Sequence, residues 1–248
     1  MVDSPFTRDE VPTNEDIEAA IAVLRYSADE DSVREKMKTA FPHCQAMVND
    51  ADKSADVFSV FPRVLDIPGL IEQDFRLLFG EATANKFLEK WPTTFKGKVM
   101  ESHGLTPTTE LLELMCNAES AVENENGQMS ACQGVDLLIR FQKVGTSVQQ
   151  HLDSITQSGQ PYLLALGSIK SNIHSYFVVI NKHAVPCKAT ASVGTFDELF
   201  KAHFVVGTSY SSCLSNFFTF VQTTIYNIDM GETKETPQVA ELRARMLR

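Results

Sequence analysis

The stretch Pro161–Ala189, "PYLLALGSIKSNIHSYFVVINKHAVPCKA", decides the fold class. Within it "PYLLALG", "SYFVVI" and "AVPCKA" are short, apolar and rich in β-branched or aromatic residues, the texture of half-buried strands. Asn181-Lys182-His183 can turn the second of these strands into the third. The segment therefore predicts a small antiparallel meander near residues 161–189. Almost everything around it has helical spacing, so the expected class is α+β, predominantly α-helical.

Upstream of the meander, Ile17, Ala20, Ile21 and Leu24 recur at i, i+3, i+4 and i+7. Val33, Met37, Ala40 and Phe41 form a second stripe. Ser27-Ala28-Asp29-Glu30 between the two reads as a capping box. A third stripe, Ile71, Phe75, Leu78 and Phe79, is followed by Gly80, which can stop a helix in a left-handed conformation. A fourth, Ala84, Phe87, Leu88 and Trp91, is expected to end at Pro92. Thr106-Pro107 resembles an N-cap with an N1 proline, opening a helix that carries Leu111, Leu112, Met115 and Ala118. "VENENGQMS" (Val122–Ser130) is the best loop or boundary. Two further helices are expected, around Val135, Leu138 and Ile139 and around Val148, Leu152 and Ile155.

Downstream, Thr195-Phe196-Asp197-Glu198 reads as another capping box, opening a helix that turns Phe196, Leu199, Phe200 and Phe204 inward. The run Leu214, Phe217, Phe218, Val221, Ile225, Ile228 is the most strongly periodic in the chain. "GETKETPQ" then links to a short charged helix. Val-Gly-Thr occurs at positions 144, 193 and 206 without a repeat period, so its glycines read as element ends. The expected organisation is a helical region over residues 1–125, helices plus meander over 126–230 packed with it as one globular unit, and a linker with a C-terminal helix over 231–248.

The 248 residues carry a net charge of −10, with 26 acids against 14 bases in residues 1–160 and 6 against 8 thereafter. No dense basic patch of the kind that neutralises a duplex is present. No apolar run reaches the roughly 18 residues of a membrane span. The acidic N-terminal residues lack the basic-then-apolar order of a signal peptide. Cys44, Cys116, Cys132, Cys187 and Cys213 are scattered, without a C-x-x-C pair, and read as thiols in a reducing compartment. Together with the absence of an N-x-[ST] acceptor, this predicts an intracellular protein.

One motif invites a sharper reading. Asp66-Ile67-Pro68-Gly69 spells the Asp-x-x-Gly of a γ-phosphate sensor, and Asn181-Lys182 resembles a guanine-reading motif. A phosphate-cradling glycine loop must precede that sensor, yet Gly69 is the first glycine of the chain. Ala184 also stands where the base-reading acid belongs. Ile67-Pro68-Gly69-Leu70 is instead expected to form a type II turn, with Pro68 fixing φ and Gly69 supplying a positive one.

The remaining chemistry is sparse. Histidines 43, 103, 151, 174, 183 and 203 show no metal-ligand spacing, and His203 is expected to be a packed or boundary residue. No nucleophile elbow is present, and Cys187 reads as a buried thiol in a strand. Glu72, Asp74, Glu81 and Glu89 read as a solvated, salt-bridged helical face. No catalytic, cofactor or metal residues are assigned. Lys170, His174, Lys182, His183, Lys188 and Lys201 crowd the meander region beside Tyr162 and Tyr176. Basic groups interleaved with aromatics can bind single strands by charge and stacking, so these six are the candidates for a nucleic-acid surface.

Several segments together resemble a known group. "SADVFSVFPRVLDIPGLIEQDFRLLFG", "FLEKWPTTFK", "ALGSIKSNI", "FVVINKHAVPCKA", "FDELFKAHFVV" and "TFVQTTIYNIDMG" look like the C-terminal region of the sterile alpha motif domain-containing protein 3-like group of vertebrates, numerous in fish. The likeness runs from about Met37 to Arg248. The residues before Met37 are too few and too acidic for a sterile alpha motif, and the loop at Val122–Ser130 is shorter than in that group. Its members join this region to an interaction module and offer no catalytic residues to carry over. The resemblance thus implies a non-enzymatic protein-interaction or regulatory role with a protein partner. A nucleic-acid-associated protein and an enzyme assembled from scattered residues are the alternatives.

Overall fold

The computed structural model describes residues 12–98, 137–156 and 159–248. The fold is α+β and mainly helical, with one four-stranded mixed sheet. The chain divides into two compact units, residues 1–84 with 141–209, and residues 85–140 with 210–248. The predicted helix at Thr106-Pro107 and the loop at Val122–Ser130 lie outside the described residues.

The first unit opens with a helical hairpin, α1 (Asn14–Leu24) and α2 (Glu30–Val48). Thr13 caps α1 reciprocally: its hydroxyl accepts from the Asp16 amide at 3.2 Å, and the Asp16 carboxylate accepts from the Thr13 amide at 3.0 Å. The capping box expected at Ser27 does not form. The Ser27 amide still bonds to the Val23 carbonyl and closes α1, so Asp29 becomes the N-cap of α2 and accepts from Ser32 at 2.8 Å. Arg63 ends α1 by donating to the carbonyls of Leu24 and Arg25 at 3.0 and 3.1 Å.

After the short helix α3 (Val57–Val60) and the 3₁₀ turn Pro62–Leu65, the chain turns at Gly69, whose φ of 84° and ψ of 5° suit the third position of a type II turn. Arg34 donates to the Pro68 carbonyl at 2.8 Å and fixes this turn. It launches α4 (Leu70–Phe79), which buries Leu70, Ile71, Asp74 and Phe75. Gly80 stops α4 with φ 78° and ψ 163°, so it supplies the expected positive φ but an extended ψ.

The meander is present as β2 (Tyr162–Ile169), β3 (Asn172–Ile180) and β4 (His183–Pro186), antiparallel with Tyr162 opposite Val179 and Val178 opposite Val185. Asn181 and Lys182 both have positive φ, 47° and 64°, the signature of a two-residue I′ hairpin. The helix expected around Val135, Leu138 and Ile139 is present at Leu137 and Leu138 but does not include Ile139: residues 139–143 form a fourth strand, β1 (Ile139–Lys143), beside β2. The Val144 amide bonds to the Gly167 carbonyl at 3.0 Å, which sets the C-terminal ends of β1 and β2 side by side and makes them parallel. Helix α6 (Val148–Ser154) is the crossover. It lays Val148, Leu152 and Ile155 against Tyr162, Leu164 and Val179.

Helix α7 (Ser192–Val205) packs on α4. The capping box expected at Thr195 is also corrected. The helix begins three residues earlier, the Thr195 hydroxyl donates to the Ser192 carbonyl at 3.0 Å, and the Asp197 and Glu198 carboxylates turn elsewhere.

The second unit holds most of α5 (Glu81–Lys90), α8 (Ser215–Phe220) and α9 (Pro237–Leu247). Pro92 does not end α5. A π-turn, Trp91–Phe95, closed by the Lys96 amide on the Trp91 carbonyl, carries the helix past the missing proline N–H. The long periodic run after Leu214 likewise widens into a π-turn, Val221–Tyr226. Phe87 stacks on Trp91 and Tyr226 with centroids 5.9 and 6.2 Å away. Lys86 and Lys90 donate to the carbonyls of Tyr226 and Ile225 at 2.6 and 3.0 Å, and Lys98 to that of Met246 at 2.7 Å. Three cations therefore satisfy the ends of two helices, where unpaired carbonyls and the helix dipole favour positive charge.

Gly167 interrupts the β2–β3 register, and a Cβ there would lie 2.3 Å from the Asn172 carbonyl oxygen. Because backbone must move to admit it, Gly167→Ala is expected to cost about 1–3 kcal/mol, measured by urea denaturation.

Candidate functional site

The most unusual chemistry in the first unit lies where α4 meets α7. On α7, Asp197 and Lys201 are one turn apart and both buried, with Lys201 only 1% exposed. The Lys201 ammonium donates to the Asp197 carboxylate at 2.5 Å and to the Glu72 carboxylate of α4. It also sits 5.6 Å from the centroid of the Phe75 ring, close enough for cation–π attraction. Glu72 reaches outward and binds Arg76 at 2.8 Å, and Arg76 pairs in turn with Glu81 at 2.9 Å. A chain of alternating charges thus runs from the interior to the surface.

Beside it, Asp74 is 1% exposed, and its Oδ1 has no hydrogen-bond partner. Burial pushes its carboxyl up to about 8, so Asp74 carries a proton at neutral pH. The buried Cys44 thiol is pushed far up as well, first by desolvation and then by the negative charge Asp74 would carry. Glu198, on the adjacent face of α7, accepts from the amides of Lys188 and Ala189 at 3.0 and 2.6 Å and holds the exit of β4. Burial raises its carboxyl, and the two amides partly offset that shift.

His203 is buried, as expected. Its Nε2 lies 2.8 Å from Gln160 Nε2 and its Nδ1 3.1 Å from the Thr208 hydroxyl, while desolvation lowers it to about 4. A second polar chain joins Gln142, His151 and Tyr162: Gln142 Nε2 is 2.9 Å from His151 Nδ1, and His151 Nε2 is 2.7 Å from the Tyr162 hydroxyl. It ties β1, α6 and β2 together.

The structure does not assemble the six basic residues into one surface. Lys170 occupies the β2–β3 turn with exposed His174 nearby, whereas Lys182 and His183 occupy the β3–β4 turn. The intervening strand separates the two groups by roughly 25–30 Å. His183 stacks on Phe58 at 4.7 Å, and the stem of Lys188 lies over the Gly69 turn. Lys201 is corrected from surface candidate to core residue. Tyr162 and Tyr176 are buried at 6% and 7% exposure, so neither offers a face for a base.

The reading of Glu72, Asp74, Glu81 and Glu89 as a solvated face is corrected for Asp74. The signal was legible: Leu70, Ile71, Asp74 and Phe75 share one stripe, with the carboxyl inside it. Asp197 and Lys201, spaced i,i+4 within a helix of apolar residues, were a second.

Among the described residues no group of three or more His, Cys, Asp or Glu could hold a metal ion, and no helix is long and apolar enough to cross a membrane. Of the cysteines among them, Cys44, Cys187 and Cys213 are free. No family model, curated protein or solved structure matches the chain.

Two substitutions separate the parts of this cluster. Lys201→Met strands the buried Asp197 carboxylate and is expected to cost about 3–5 kcal/mol, read by chemical denaturation. Asp74→Asn is expected to act through pH. With a folded value of about 8, Asp74 keeps its proton on folding between the ordinary carboxyl range and that pH. Wild-type stability therefore falls across this window as pH rises, on the order of 1.4 kcal/mol per unit, and levels off above it. The Asn variant lacks that slope, so denaturation midpoints at pH 5 and pH 8.5 should differ less than in the wild type.

Proposed function

We propose that this chain is a non-enzymatic protein-interaction or regulatory module that works inside the cell. The observation that carries the reading is the use made of its ionisable interior. A general base, a nucleophile or an oxyanion donor needs bonding capacity left for a reactant. Lys201 is clamped by two carboxylates and Glu198 by two amides, and His203 is enclosed by Gln160 and Thr208. Asp74 is protonated, but it lies in the same buried stripe as Leu70, Ile71 and Phe75. These groups are spent on holding elements together.

The resemblance to the sterile alpha motif domain-containing protein 3-like group supports the same reading, because that group joins this region to an interaction domain. The nucleic-acid alternative loses its motivation with the interior placement of Lys201, Tyr162 and Tyr176.

Affinity capture of the tagged chain from its own cells, with and without nuclease, tests the proposal. Specific protein partners that survive nuclease, and that bind the purified chain saturably, are expected. Recovery that disappears with nuclease overturns the reading in favour of nucleic acid. Turnover of a small molecule that is lost on changing one polar residue overturns it in favour of an enzyme.

A further inference from the structure

Helix α1 presents an outer face that matches itself. Its inner face carries Ala20 and Leu24, both buried, and half-buried Ile17 and Ile21. On the opposite side Glu15, Ala19, Ala22 and Tyr26 fall at i, i+4, i+7 and i+11, one line along a helix of 3.6 residues per turn, and all four are exposed. Arg25 retains helical dihedrals of −69° and −31°, so the line continues to Tyr26. Tyr26 is 85% exposed, and the neighbouring Val23 is 37% exposed. The other four tyrosines are buried or half-buried. Arg63 anchors the C-terminal carbonyls of α1 and the capping box anchors its start, so the face is rigid before any partner arrives.

We propose that the partner of this face is a second copy of the chain, with the two α1 helices crossing antiparallel about a two-fold axis. In that arrangement Ala19 of one copy meets Ala22 of the other, and two small side chains allow the backbones to approach closely. Tyr26 of each copy then covers the partner's first turn and brings its hydroxyl to the Glu15 carboxylate. On one flank Glu18 and Arg25 lie two turns apart, and an antiparallel partner sets each opposite the other's counterpart. The contact contains two Glu18–Arg25 pairs and no like-charge pair between them. Acidic Glu15, Asp16 and Glu18 crowd the N-terminal half and Arg25 the C-terminal end, so a parallel pairing would set acid against acid. A two-fold contact of this kind closes on itself and stops at the dimer. One helix face is smaller than the ~800 Å² per partner of a standard interface, so the dimer dissociates in the micromolar range or above.

This inference is independent of the interaction-module reading, because a pure preparation tests it whatever the chain captures from cells. Sedimentation velocity of the purified full chain, over a series from micromolar to sub-millimolar at low salt, is expected to show a reversible monomer–dimer equilibrium that weakens as salt is added. Ala22→Glu should raise the dissociation constant tenfold or more. Glu18→Arg should do the same, and adding Arg25→Glu to it should restore dimerisation. All these positions are exposed, so circular dichroism and the thermal midpoint of the monomer should not change. A chain that stays monomeric throughout the series overturns the proposal. So does a dimer that Ala22→Glu leaves intact, or one that the charge exchange fails to rescue.

Discussion

An ammonium group taken out of water loses hydration worth several kcal/mol, and only close opposite charge can offset that loss. Lys201 meets this demand with Asp197 from its own helix and Glu72 from a helix 129 residues away in sequence. The constraint is geometric as well as energetic. A one-residue slip of α7 against α4 would rotate the ammonium by about 100° and part it from Glu72, while the Asp197 pair, lying within α7, would move with it. The pairing therefore fixes the register of the two helices and, with it, the contacts of Phe204 with Phe79 and Phe75, whose ring centroids lie 5.3 and 5.8 Å from its own. Glu198, on the next face of α7, ties down the chain leaving β4, so the same helix positions the sheet.

The second unit solves a different problem with the same residue type. Its helices widen into π-turns, which leave carbonyls badly aligned for the next amide. Lys86 and Lys90 fill such positions at the end of Val221–Tyr226, and Lys98 does the same at the end of α9. Lys86 is shifted downward, first by burial and then by the charge of Lys90. Both cations therefore stand close together at one helix end, where the dipole offsets part of their repulsion. In a chain with a surplus of acids, these lysines have carbonyl partners rather than carboxylate ones.

Much of the fold was legible because burial leaves a period in the sequence. The stripes of α1, α2 and α4 were visible, as was the meander with its Asn181–Lys182 hairpin. Gly69 had to adopt positive φ once Pro68 preceded it in a turn. What escaped notice had a local cause in each case. Residues 139–143 became a strand because β2 offered a free edge, and the edge is not written in those five residues. The Ser27 and Thr195 capping boxes failed because the preceding helix, or the following one, claimed the backbone first. Pro92 did not end its helix because a π-turn needs no hydrogen bond from that position. The candidate site failed on a more general point. Lys170 to Lys201 are near in sequence, but a nine-residue strand and the core stand between them.

Charge in this chain is therefore a poor guide to its surface chemistry. Lys201 and its carboxylate partner Asp197 point inward as a strut, while the basic groups that stay exposed, Lys170, His174, Lys182 and Lys188, are spread over separate turns and strand ends. The informative exposure is of the opposite kind. A tyrosine left 85% exposed at a rigid helical corner forgoes the burial that its ring area would otherwise contribute. Around it, alanines replace the charged residues usual on a solvent-facing helix side, and the remaining charges are placed where a second copy can match them. An outer face that is small, apolar and anchored at both ends keeps little solvation to lose on contact. That is the physical condition for association by a surface whose area alone would not sustain it.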